Sequence, residues 1–185
     1  MKDNLNEMIK NFSTMAENFE VDLKRFKNKL YNLNESNVYN DKYSALDIAA
    51  YIINKSIDDN NPVSNLKLQK LLYYVQAASL VFREKELFYE DIKAWQYGPV
   101  VESVYLEYKY YSRYNICEKR ELSLEIDIES KELIDEVLKS KAIFTAYDLV
   151  RLTHEESPWK NTYLGETIKK DSIKEYFENH KERIC

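Results

Sequence analysis

His154, Glu155 and Glu156 are the run of this chain whose side-chain types could do acid–base or metal chemistry: an imidazole that titrates near neutrality, followed by two carboxylates. A hydrolytic zinc centre needs about three protein ligands converging on one ion. The only other histidine, His180, lies in a charged C-terminal stretch. A cysteine nucleophile would need Cys117 brought to His154 with a third group to orient the imidazole, and the residues around Cys117 carry no signature of that arrangement. With two glycines in 185 residues there is no phosphate-cradling loop and no dinucleotide fingerprint. These residues point away from catalysis, and no enzyme site, metal or cofactor is expected. The other use of Thr153, His154 and Glu155 is to end a helix and satisfy backbone groups near Pro158 and Trp159. Trp95 and Trp159, the two tryptophans, each need a partner for the indole N–H if buried.

The elements that must position these residues are helices. Two Gly and three Pro leave few strand turns, and the Leu, Lys, Glu, Ile and Ala content suits helix. The expected fold is mainly α: a compact helical domain with a small β-hairpin or short strands, preceded by a long N-terminal amphipathic helix. A net charge of −5 gives no electrostatic footprint for duplex DNA or anionic lipid, so neither a nucleic acid nor a membrane is an expected partner. Asp3, Glu7, Glu17 and Glu20 interrupt the N-terminal apolar residues, unlike a signal peptide, and two cysteines without a framework spacing fit a reducing cytoplasm.

Residues 1–40 form one expected unit and 41–185 the other. In the first, Leu5, Ile9, Phe12, Ala16, Phe19, Leu23, Phe26, Leu30 and Leu33 alternate steps of four and three, a heptad seam. Such a seam must be covered by the chain's own core, by a second copy or by a partner protein, and Phe12, Phe19 and Phe26 are its candidate contact residues. In the second unit, Ser44 predicts an N-cap for a helix over 45–57 with Leu46, Ala49, Ala50, Ile53 and Ile57 inward. Ser64 caps a helix running to about residue 84, with Leu68, Leu71, Leu72, Val75, Ser79 and Phe82 on one face. Lys67, Gln69, Lys70, Tyr73 and Tyr74 lie beside that stripe as a solvated face and a candidate partner-binding surface. A short extended segment ends at Gly98, and Pro99 is expected to open the next helix. Alternating Leu122, Leu124, Ile126 and Ile128 predict a strand within 112–129. Ser130, Thr145 and Ser172 with Glu175 predict the caps of three further helices.

The order of four segments, ALDIAAYIINKS, KLQKLLYYVQA, LFYEDIKAWQYGPVVESVY and LTHEESPW, resembles the Panacea-domain family of SocA-like antitoxins and phage-associated proteins over about residues 43–178. The family's motif positions are here Leu68, Lys70, Leu71, Tyr73 and Gln76, then Ala94, Trp95, Tyr97, Gly98, Pro99 and Val100, and finally Thr153, His154, Glu155, Pro158 and Trp159. Where the family often has a glycine before the central Leu-Phe, this chain has Lys85-Glu86. The resemblance implies a non-enzymatic antitoxin that binds a cognate protein toxin directly, or an adaptor that delivers its toxin to a protease. It also implies that most motif residues are framework. A hydrolase using His154 and Glu155, a phage-associated regulator and an operon repressor are the other readings. No basic recognition helix supports the last of these.

Overall fold

The computed structural model describes residues 42–185, which are mainly helical. The heptad segment with Phe12, Phe19 and Phe26 lies outside the described residues. Helix α1 spans Ala45–Asp58, and Ser44 accepts from the Asp47 N–H as its cap. Helix α2 spans Asn65–Phe82 and is capped in the same way by Ser64. Two residues expected inward lie partly outside: Leu46 is 38% exposed and Phe82 49%. Each sits at one end of its helix, where cover from neighbouring elements runs out. Asp47 is buried one residue on, because its carboxylate accepts from the N–H and hydroxyl of Ser123 at 2.8 and 2.7 Å.

A two-stranded antiparallel hairpin follows, β1 (Lys93–Trp95) and β2 (Gly98–Val100), with Ala94 opposite Pro99 and Trp95 opposite Gly98. Pro99 therefore lies in a strand and does not open the next helix. Helix α3 begins at Glu102 and runs to Tyr108, followed by a 3-10 turn over Lys109–Tyr111. The strand tolerates proline because Ala94 turns its backbone groups the other way, its N–H to Glu166 and its carbonyl to the Gly165 N–H. No ladder bond is asked of Pro99.

The predicted strand within 112–129 does not form. Ile116 and Ile126 are buried, but Leu124 and Ile128 are 44% and 73% exposed. The backbone here pairs with α1 side chains: Asn54 exchanges hydrogen bonds with both peptide groups of Arg120, at 2.7 and 2.8 Å. Helix α4 (Ile128–Lys141) is capped by Asp127, and the predicted cap, Ser130, lies one turn inside and donates to Asp127. Helix α5 (Ala146–Glu155) starts at Thr145 as predicted, with a reciprocal bond to Asp148. After the single turn α6 (Ser157–Lys160), α7 spans Lys170–Glu178 from Lys169, so the predicted box of Ser172 with Glu175 is absent and Ser172 donates to the Lys169 carbonyl.

Helix α2 is the axis of the domain, packed against α1, α3, α4, α5, α7 and β2. It is buried all round, although it carries Lys67, Gln69, Lys70, Gln76 and Ser79. Buried polar groups persist when each finds a partner, and the partners here are mostly peptide groups, with Gln69 also donating to the Asn65 side chain. The Gln76 side chain accepts from the N–H groups of Leu87 and Phe88 and donates to the Phe88 carbonyl. Gln69 accepts from the Val101 N–H, and Ser79 donates to the Lys85 carbonyl. The loop after α2 turns through Glu84 at φ 57°, the left-handed conformation that a glycine would supply without strain.

Candidate functional site

The predicted partner-binding residues of α2 are not a surface. Gln69, Lys70, Tyr73 and Tyr74 are fully or almost fully buried, and Lys67 is nearly so, its ammonium reaching the Ala142 carbonyl at 3.4 Å. The helix expected to bury one stripe is surrounded on every side, and that overturns the expectation that these residues are exposed.

Two of them, Lys70 and Gln69, hold the hairpin and the residue that follows it. The Lys70 ammonium donates to the Pro99 carbonyl at 2.8 Å. Burial pushes its pKa down to about 7. Gly98 sits directly above at φ +98°, so close that a Cβ there would come within 2.8 Å of Lys70 Cε and 2.7 Å of Thr153 Oγ1. Thr153, buried on α5, donates to the Val150 carbonyl. One residue on, His154 lies flat on Trp159, ring centroids 3.8 Å apart and planes 7° apart. Burial, then the Lys70 charge, holds its imidazole below the ordinary histidine range, against a smaller effect of the Gln96 backbone. The Trp159 indole N–H donates to the Trp95 carbonyl at 3.0 Å, which meets the predicted need. Trp95 in turn abuts the Tyr105 ring at 4.9 Å. The three motif segments thus converge on one β-turn, with Lys70 below, Thr153 beside it and the His154–Trp159 stack against the hairpin's outer end. Gly98, Pro99, Val100 and Pro158 are buried, while Tyr97 at the tip is 57% exposed.

Residues 68–160, about half of the chain, match the family described as antitoxin SocA-like, Panacea domain. The chain belongs to that family. Over 58 residues it is 38% identical to Antitoxin SocA of Caulobacter vibrioides (strain NA1000 / CB15N), a stretch that is 31% of this chain and 31% of that protein. No solved structure matches.

The Panacea domain also buries a second polar cluster that sequence reasoning did not assign. Glu156 is wholly buried and accepts from the Tyr74 hydroxyl at 2.9 Å. Burial pushes its carboxyl up to about 7, opposed by the Tyr74 and Tyr73 hydroxyls and by the charges of Arg183 and Lys141. Lys141 lies 4.5 Å over the Tyr74 ring and donates to the Arg183 carbonyl at 2.7 Å. No local spacing marks this cluster, because its members come from α2, α4, the end of α5 and the C-terminal turn. Glu155, by contrast, faces outward, 3.8 Å from Arg183. His154 and Glu155, the hydrolase pair considered from the sequence, are neighbours on a helix and point about 100° apart. Among the described residues no group of three His, Cys, Asp or Glu is disposed to hold a metal ion, and no helix is long and apolar enough to cross a membrane.

Proposed function

We propose that this chain is an antitoxin that masks a cognate toxin by direct protein–protein contact. The observation that carries the reading is the family match across residues 68–160, the stretch that contains all three converging motif segments. The named relative, Antitoxin SocA, supports it. In this domain Lys70 and Trp159 of the motif hold hairpin carbonyls and Gln76 holds the peptide groups of Leu87 and Phe88, which leaves recognition to exposed side chains around them, Tyr97 first among the motif positions. The test is growth rescue: the toxic product of an adjacent reading frame is expressed with and without this chain. Restored growth together with a co-purifying complex is expected. Persistent toxicity despite soluble, folded protein would overturn the reading for that pair. A toxin lifetime that shortens when the chain is present would assign it instead to delivery to a protease.

A further inference from the structure

We infer that the face made by Tyr105, Leu106, Lys109, Tyr110, Arg113 and Tyr114 is where the partner docks, and that the partner presents an acidic, partly apolar protein patch to it. The inference rests on the antitoxin reading and adds the side of the domain that is used and the charge it meets.

Helix α3 and its 3-10 extension turn Val104 and Tyr108 inward and leave the other side open. Tyr105 and Leu106 are followed one turn later by Lys109 and Tyr110, the spacing of one helical face. Tyr105 is 36% exposed, Leu106 49%, Tyr110 65% and Tyr114 65%. Ser112, at φ 54°, turns the chain so that Arg113 lies 5.5 Å over the Tyr114 ring. The base beneath this rim is fixed: Arg120 sits 5.5 Å over the Tyr108 and Tyr111 rings and donates to the hydroxyls of Tyr110 and Tyr111. At the hairpin end Trp95 backs Tyr105. Rigid aromatic side chains on a fixed base supply large contact area at small entropic cost, and Tyr, Trp and Arg are the residues that dominate binding energy at interfaces.

Charge selects the occupant. Residues 105–120 carry four basic and two acidic side chains in a chain whose net charge is −5. Glu118 is taken by Arg120 and the Tyr111 hydroxyl, and Lys119 by Asp58. Among the described residues no carboxylate lies within ion-pair distance of Lys109 or Arg113. Two cations that meet no carboxylate among the described residues, set among tyrosines, complement carboxylates on a facing surface. Stacked bases would also suit tyrosines and arginine, but a phosphate backbone would meet the field of a net-acidic chain and the exposed Glu107 on the same short helix. A protein is favoured.

The test uses the full chain with the purified toxic product of the adjacent reading frame. A photocrosslinking benzophenone residue replacing Tyr110 is expected to join the two proteins, with the attached toxin peptide rich in Asp or Glu. Lys109→Glu combined with Arg113→Glu is expected to weaken binding by more than ~10-fold, while Lys139→Glu on α4 leaves it unchanged. If the unmodified chain binds and neutralises the toxin but the double variant binds within about twofold, the docking face is wrong and the antitoxin reading stands. The docking face is equally wrong if Tyr110 crosslinks only to nucleic acid or to a second copy of the chain. If the unmodified chain neither binds nor protects, the antitoxin reading falls and the docking face with it. Melting temperatures guard against a folding artefact, and the crosslink, at one exposed position, does not depend on the charge reversals.

Discussion

At Gly98 two constraints coincide, a φ of +98° and two side-chain atoms, Thr153 Oγ1 and Lys70 Cε, within 2.8 Å of where a Cβ would stand. Gly98→Ala combines left-handed strain of ~1–2 kcal/mol with a clash against two buried side chains, so a loss of at least ~2 kcal/mol is expected by urea denaturation. An unchanged midpoint would mean that Lys70 and Thr153 can withdraw. The two buried charges near the motif make opposite pH signatures. Glu156 keeps its proton to about 7 in the fold, whereas an unfolded glutamate releases it near ~4.3, so its stabilising contribution is complete below the lower value and is lost as pH rises through the higher. Lys70 loses its proton at about 7 in the fold and near ~10.4 when unfolded, so its burial is most costly below neutrality and the cost is relieved as pH climbs between those values. The difference in stability between Glu156→Gln and the parent should therefore change between about pH 4 and 7, and that between Lys70→Met and the parent between about pH 7 and 10. Denaturation midpoints across that whole range check both, and flat difference curves would contradict them. Gly98 is legible in the sequence as punctuation before Pro99, but its neighbours are not, because Thr153 is 55 residues away along the chain.

Helix α2 is an element whose limits local chemistry can give and whose surroundings it cannot. The Ser64 cap and the Leu68, Leu71, Leu72 and Val75 stripe are encoded within a few residues of one another. That Lys67, Gln69, Lys70, Tyr73 and Tyr74 also go inward depends on elements that arrive later: the Pro99 carbonyl is 29 residues from Lys70, and the Glu156 carboxylate 82 from Tyr74. A one-sided helical wheel has no way to represent a helix wrapped on all sides. The alternation at Leu122–Ile128 misleads for the converse reason, since a strand needs a neighbour and these residues meet α1 side chains instead. The consequence at this scale is a prediction for Gln76. Replacing it with Leu leaves two buried N–H groups and one carbonyl without partners, so a cost of ~2–4 kcal/mol is expected, measured as a drop in unfolding free energy. Ser79→Ala loses one bond and should cost about 1 kcal/mol. Equal effects of the two changes would refute the assignment of three bonds to Gln76.

Over the whole molecule, the order of the motif segments makes the family legible, while the proposed docking face is not, because the spacing across Tyr105–Tyr114 reads as the continuation of a helix running into a strand. We further propose that residues 1–40, whose heptad seam includes Phe19 and Phe26, add contact to a partner or to a second copy. Phe19→Asp with Phe26→Asp is then expected to halve the mass seen by light scattering or to abolish neutralisation. An unaltered mass with full neutralisation would remove the segment from both roles. The way the domain grips its own hairpin bears on which of its positions can accept new side chains. Lys70, Gln69, Gln76 and the Trp159 indole all hold peptide groups between Leu87 and Val101, never the side chains those residues carry. A peptide group is the same whatever residue it belongs to. The 87–101 excursion is therefore a socket: exposed positions such as Tyr89, Gln96 and Tyr97 can be reloaded with other side chains while the mount stays in place. Variants from a combinatorial library at those three sites should keep the parent's melting temperature, and a broad fall in melting temperature would show that those side chains also hold the mount.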